Sequence, residues 1–226
     1  FGCPINDLER SGWFRTLHSA VMRILSFQKG ELVNGDRKWF KDNLGGDVQA
    51  SEDEDDGTWA EQFKGTDEIA TALQMWDLAR NRLVPLVQVY DEAQAMGQLR
   101  LSYEYPQHRQ IVEAYEEAKA RDGRYDFTDY LLRYAGWKAE RTGMICTEPE
   151  GMVPKIAAWV IDESQDCSGL LDIVAQRITS GAKWVYLLGD ALQNIYQWAG
   201  SDPAKFLAWP LPHSKPLNKS WRCSAA

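Results

Sequence analysis

Four cysteines and three histidines are too few and too scattered for a structural metal centre. Cys3, Cys146, Cys167 and Cys223 show none of the paired spacings that hold zinc. So few cysteines suit a reduced, cytoplasmic chain better than a disulfide-stapled secreted one. No apolar run approaches the ~20 residues needed to cross a bilayer, and there is no secretory apolar segment, which argues against a membrane partner. Basic excess is missing too. Lys and Arg number 25 against 33 Asp and Glu, a formal charge of -8, which excludes a simple basic nucleic-acid coat protein. It leaves room for a local groove with aromatic platforms. There is no internal repeat, and the only biased stretch is the acidic run Glu52-Asp53-Glu54-Asp55-Asp56, which reads as a solvated loop. What is present is ordinary: 226 residues, 44% hydrophobic and 26% charged, enough for one large domain or a domain plus a subdomain.

Two acid-ended apolar runs stand out near the C-terminus. Ile156-Ala157-Ala158-Trp159-Val160-Ile161 delivers Asp162-Glu163-Ser164-Gln165-Asp166, and Trp184-Val185-Tyr186-Leu187-Leu188 delivers Gly189-Asp190. Short unbroken apolar runs between polar clusters predict strands buried on both faces, as in a parallel sheet covered by helices. Ligands bind such sheets at the carboxyl ends of the strands. Between the runs, Ser168 is a fair N-cap for a helix through Leu171, Val174, Ala175 and Ile178, with Gly181 as its stop. Strand, helix, strand predicts neighbouring parallel strands with Asp162 and Asp190 on one edge.

Upstream, Val21, Met22, Ile24 and Leu25 predict a helix that stops at Gly30. Residues 31 to 66 read as loop-rich, with Gly45-Gly46 and the acidic run. Ile69, Leu73, Trp76 and Leu83 trace one helix face, which Pro85 bends or ends. Pro106 opens another helix through Ile111, Val112, Tyr115 and Ala118, closing near Gly123.

The first acid cluster has the residue types of a metal-assisted phosphoryl-transfer site. A carboxylate closing a buried strand can hold Mg2+, which neutralises phosphate charge. A second carboxylate beside it can orient and deprotonate a water. Asp162 fits the metal role and Glu163 the base, although most Asp-Glu pairs taken alone are ordinary solvated surface.

Gly189-Asp190-Ala191-Leu192-Gln193-Asn194-Ile195-Tyr196-Gln197-Trp198-Ala199-Gly200 resembles motif III of the UvrD/Rep/PcrA-type superfamily 1 DNA helicases, and Asp162-Glu163-Ser164-Gln165-Asp166 resembles their motif II, the Walker B form. Three more segments follow the family's order. Thr16-Leu17-His18-Ser19 is similar to motif Ib, Asp126-Phe127-Thr128-Asp129 to the Asp-Phe-x-Asp segment upstream of Walker B, and Leu217-Asn218-Lys219-Ser220-Trp221-Arg222 to motif IV. The resemblance spans residues 16 to 224. It implies an α/β P-loop NTPase-type (RecA-like) motor domain, a parallel sheet wrapped by helices with a helical insert subdomain. Residues 1–30 would open the motor domain, 31–124 would be the insert with its acidic loop at 47–56, and 125–226 would complete the motor domain. The implied activity is ATP-dependent movement along single-stranded DNA and unwinding at single/double-strand junctions, with ATP and Mg2+ as cofactors.

By resemblance, Asp162 holds Mg2+, Glu163 is the base, Gln193 senses the γ-phosphate and Arg222 meets it with a fork of donors. Trp198, helped by Tyr196, would stack a base of single-stranded DNA, and Thr16 and His18 would touch its backbone. Blander alternatives stand beside these: a turn amide for Gln193, a surface ion pair for Arg222, a core position for Trp198, a capping Thr16 and a partly buried His18. Some positions depart from the family pattern. Ala199 stands where Arg is usual, Leu17 replaces Phe, and Trp221 replaces Tyr. No Gly-x-x-x-x-Gly-Lys-[Ser/Thr] loop occurs anywhere. The chain therefore reads as an internal fragment of a longer helicase, completed by the rest of its own polypeptide. The motor part of a RecB/AddA-like helicase-nuclease and a nucleotide-blind DNA-binding scaffold are the alternatives.

Overall fold

Caps decide where the helices begin and end. The computed structural model describes residues 15–45, 49–50, 63–64, 68–96, 104–194 and 200–216. Helix α1 (Leu17–Ile24) starts at Thr16, whose hydroxyl accepts the Ser19 N–H, and closes on Leu25 with Ser26 at positive φ. It therefore ends before Gly30. Helix α2 (Arg37–Leu44) starts at Asp36, which accepts the Trp39 N–H, and ends on Gly45 at φ 74°. Helix α3 (Glu68–Arg82) is followed by Pro85 and then α4 (Leu86–Ala95). Helix α5 (Tyr105–Asp122) carries Pro106 in its first turn and closes on Gly123. Helix α6 (Phe127–Ala135) opens on a capping box formed by Asp126 and Asp129. Helix α7 (Gly169–Thr179) is capped by Ser168, and the short α8 (Pro203–Leu207) by Asp202.

The strands form small sheets. β1 (Gln49–Ala50) pairs with β2 (Phe63–Lys64), and β3 (Trp137–Glu140) with β4 (Gly143–Cys146), both antiparallel. β5 (Ala158–Ile161) and β6 (Trp184–Leu187) are parallel neighbours, Ala158 opposite Trp184 and Ile161 opposite Leu187. The fold is thus mixed α/β, with α7 as the crossover between the parallel strands.

Two buried apolar clusters hold it together. Phe40, Leu73, Trp76, Leu86, Val112 and Tyr115 join α2 through α5. Val21, Tyr130, Leu131, Trp159, Leu170, Val174 and Ile178 join α1, α6, α7 and β5. Among the described residues, no helix is long and apolar enough to cross a membrane.

Three features differ from the sequence expectation. Helix α2 lies inside the stretch expected to be loop-rich. Its face is only Trp39 and Phe40, too short for a visible period, and its ends are fixed by Asp36 and Gly45. Helix α4 and the β3–β4 hairpin are likewise additions. Above all, the parallel strands are not buried on both faces. Trp159 turns into the second core and Ile161 is buried on the same face, while Val160 (60% exposed), Trp184 (53%) and Tyr186 (51%) face outward. An unbroken apolar run cannot tell a covered face from an uncovered one, because both alternating sets are apolar. The acidic run 52–56 lies outside the described residues.

Candidate active site at the carboxyl edge of the parallel strands

The ladder runs on past the strand ends. Leu188 N–H donates to Ile161 O (2.8 Å) and Ser164 N–H donates to Leu188 O (2.9 Å). The turn after β5 is thereby zipped to the turn after β6, and the two acid clusters meet on one edge. Ser164 Oγ also donates back to Ile161 O at 2.9 Å, closing the end of β5.

Asp162 is exposed, and one of its oxygens accepts the Glu163 N–H at 3.0 Å. Glu163 adopts the left-handed conformation (φ 49°, ψ 39°) and leads into a 3-10 turn, Ser164–Asp166. Gln165 is only 1% exposed. Its Nε2 donates to Glu163 Oε2 at 2.8 Å and, less closely, to Asp166 Oδ2 at 3.3 Å. Its Oε1 accepts the Asp190 N–H at 3.1 Å. Burial and then the neighbouring Glu163 charge push the Asp166 carboxyl above its usual range. Burial pushes the Cys167 thiol up to about 12, so Cys167 offers no thiolate to a metal.

Asp190 caps the second turn, Ala191–Gln193, accepting the Leu192 N–H at 3.0 Å. Gln193 is exposed and donates its side-chain amide to Asp190 Oδ2 at 2.8 Å. Asn194 donates to the Gln165 carbonyl and to Ser201 Oγ. Ser201 bridges to Ser168, whose hydroxyl reaches Asn81 of α3 at 3.2 Å.

This edge offers oxygen ligands to a hard cation. Asp162 keeps one carboxylate oxygen without a hydrogen bond among the described residues, which suits Mg2+, an ion that takes one or two carboxylates and completes its shell with water and phosphate. Asp162, Glu163, Gln193 and Asp190 are brought together here. Thr16 is occupied as the α1 cap. His18 packs edge-on to Tyr130, and burial lowers its pKa to about 4, so it is a neutral ring rather than a cation for a phosphate. Tyr196, Trp198 and Arg222 lie outside the described residues.

Sequence reasoning did not foresee Gln165 as a connector, nor a second acid cluster under α6. Asp126 Oδ2 accepts Arg80 (2.8 Å), Lys119 (2.9 Å) and Tyr115 OH (2.7 Å), while Oδ1 accepts the Thr128 and Asp129 N–H groups. Burial alone would raise the Asp126 carboxyl, but Arg80 and Lys119 hold it well below the usual range. Asp129 is pushed the other way, to about 6, by burial and the Asp126 charge. Among the described residues, Glu116, Asp126 and Asp129 are the only three carboxylates close enough to share a metal ion, and Lys119 Nζ lies within 3.1 Å of all three. The ammonium fills that place. A Lys at 119 and an Arg at 80 gave no sequence signal, since each is an ordinary helix residue.

The family model for the UvrD/REP helicase N-terminal domain matches residues 7–210 of the chain. No curated protein matches it.

Proposed function

The chain belongs to the UvrD/REP helicase N-terminal domain family, and from that premise we propose that it is the motor-domain part of an ATP-dependent DNA helicase that moves on single-stranded DNA and opens duplex at junctions. What carries this reading is the parallel pairing of β5 and β6, which sets Asp162-Glu163 beside Asp190-Gln193 on one edge. In this P-loop-type arrangement residues 31–124 are the helical insert and 1–30 with 125–226 the motor domain. In support of that division, the first apolar cluster draws its buried residues from 33 to 118 and the second, Leu32 apart, from outside 31–124, with Ala139 and Met144 packing against both.

Helicases of this family use ATP and Mg2+. When bound, Mg2+ supplies neutralisation of the phosphate charge that builds as the terminal phosphoryl group leaves. Asp162 would hold it at the end of β5. Glu163 orients the attacking water and takes its proton. Gln193 exchanges its Asp190 bond for one to a phosphate oxygen and returns when phosphate departs. Arg222 adds a fork of donors at the γ-phosphate. Trp198 and Tyr196 would give bases a stacking platform, and Thr16 and His18, a helix cap and a neutral ring, would approach the strand backbone. The 226 residues contain no Gly-x-x-x-x-Gly-Lys sequence, the loop whose backbone N–H groups and Lys hold the triphosphate in P-loop enzymes. Calorimetry of the 226-residue chain with Mg-ATP should then show no micromolar binding.

Glu163→Gln in the complete helicase tests the central assignment. ATP turnover should fall by about 10²–10⁴-fold with nucleotide affinity kept. Turnover near wild type in that variant would remove Glu163 from the mechanism. Trp198→Ala should weaken single-strand binding by about 1–3 kcal/mol and leave basal turnover intact. If it instead lowers the melting temperature and binds strands normally, Trp198 is a core residue.

A further inference from the structure

We infer that Gln165 is a positioning residue that fixes the Glu163 carboxylate and ties it to the turn carrying Gln193. The inference rests on the assignment of Glu163 as base. A carboxylate that must take a proton from one particular water needs its oxygens held, and Glu163 sits on an exposed turn after a strand end. Among the described residues, the hydrogen bond to its side chain comes from Gln165 Nε2 at 2.8 Å.

Three observations make Gln165 more than a buried polar residue. It uses both ends of its amide across the two acid clusters, donating to Glu163 and accepting the Asp190 N–H at 3.1 Å. Asn194 holds its backbone carbonyl from the far end of the same turn as Gln193. And residue 189 has no side chain where one would collide: a Cβ there would lie 2.3 Å from Gln165 Oε1 and 3.3 Å from Phe206 Cζ. The neutral amide is the right group for the task. It orients a carboxylate without neutralising it, whereas Lys or Arg in the same place would compete with Mg2+ for the charge. A displacement of the 190–193 turn pulls on Oε1 and therefore on the donor that holds Glu163.

The test uses the complete helicase with two changes at 165 and one at 189. Gln165→Met removes both bonds. Gln165→Glu keeps an acceptor for Asp190 N–H but loses the donor to Glu163. Gly189→Ala leaves Gln165 in place and displaces its amide. Each should lower kcat about 10- to 100-fold at unchanged KM for ATP, and in Gln165→Met and Gly189→Ala the melting temperature should stay close to wild type. In the 226-residue chain, exchange of the Asp190 amide proton should speed up in Gln165→Met and Gly189→Ala and stay slow in Gln165→Glu. If Glu163→Gln abolishes turnover while the Gln165 and Gly189 variants keep wild-type kcat, the positioning role is wrong and the base assignment stands. If Glu163→Gln itself turns over normally, both fall together. If kcat drops only in step with lost thermal stability, Gln165 is merely structural and the inference is overturned. Should Gln165→Met fail to fold, Gly189→Ala decides by the same kcat criterion.

Discussion

Two carboxylate clusters in this molecule are built with the same local device and end in opposite states. Asp126 and Asp162 each stand at the end of an element and accept backbone N–H groups from the residues that follow. Around Asp126, helices α3 and α5 bring in Arg80 and Lys119, whose side chains are almost wholly buried. Around Asp162 and Glu163 the hydrogen-bonding partners are backbone N–H groups and the amide of Gln165. Amides satisfy lone pairs without cancelling charge. The first cluster is therefore closed by the protein's own cations and fastens α3, α5 and α6 together. The second has no Lys or Arg bonded to its carboxylates among the described residues, and it is the cluster proposed to hold Mg2+.

The largest effect should come from opening the closed cluster. Lys119→Met leaves Glu116, Asp126 and Asp129 facing one another with Arg80 alone. Breaking a buried ion pair on one side costs about 3–5 kcal/mol, which for a chain of this size lowers the melting temperature on the order of 10 °C. Thermal unfolding followed by circular dichroism reads it; a loss below 1 kcal/mol would mean the network is slack.

A smaller and pH-dependent effect should come from Asp77. Burial pushes its carboxyl up to about 6, against the pull of Arg80 and with help from the Asp126 charge. The folded chain thus holds a proton there that the unfolded chain has lost between about pH 4 and 6, so this group's contribution to stability declines as pH rises through that window. Asp77→Asn keeps an acceptor for Arg80 and for Thr128 Oγ1 and removes the charge. It should match wild type near pH 4 and exceed it by about 1–3 kcal/mol at pH 7.5. Urea titrations at both pH values check this, and a variant equally weakened at each would refute it. Asp126 works in the opposite sense, its contribution fading as pH falls below the ordinary carboxylate range.

The smallest effect belongs to the open cluster. Asp162→Asn removes an exposed charge with a single backbone partner and should alter stability by less than about 0.5 kcal/mol. A loss comparable to that of Lys119→Met would erase the distinction between the two sites.

The sequence announced the open cluster and hid the closed one, for a physical reason. Residues 156–166 and 184–194 carry their signals locally, as apolar runs, a cap at Ser168 and an ordered set of polar types, and the parallel pairing follows from them. Likewise Pro106 and Gly123 marked α5 within a residue of its ends. The closed cluster joins residues 46 positions apart, Arg80 and Asp126, through helix packing that no local pattern encodes. Helix α2 was missed because two aromatic anchors do not make a period, and the outward face of β5 and β6 because burial depends on what lies opposite. Thr16 and His18 turned out to be held by their own neighbourhood, a cap and a ring contact, which spacing alone left open.

Glu163 is one of four non-glycine residues at positive φ among the described residues. An L side chain held there costs roughly 1–2 kcal/mol that glycine would not incur. Position 163 is thus a place where selection for heat resistance and selection for turnover pull apart. A library of variants screened on survival at high temperature alone would drift toward glycine at this position, gaining robustness while losing the group proposed to activate water.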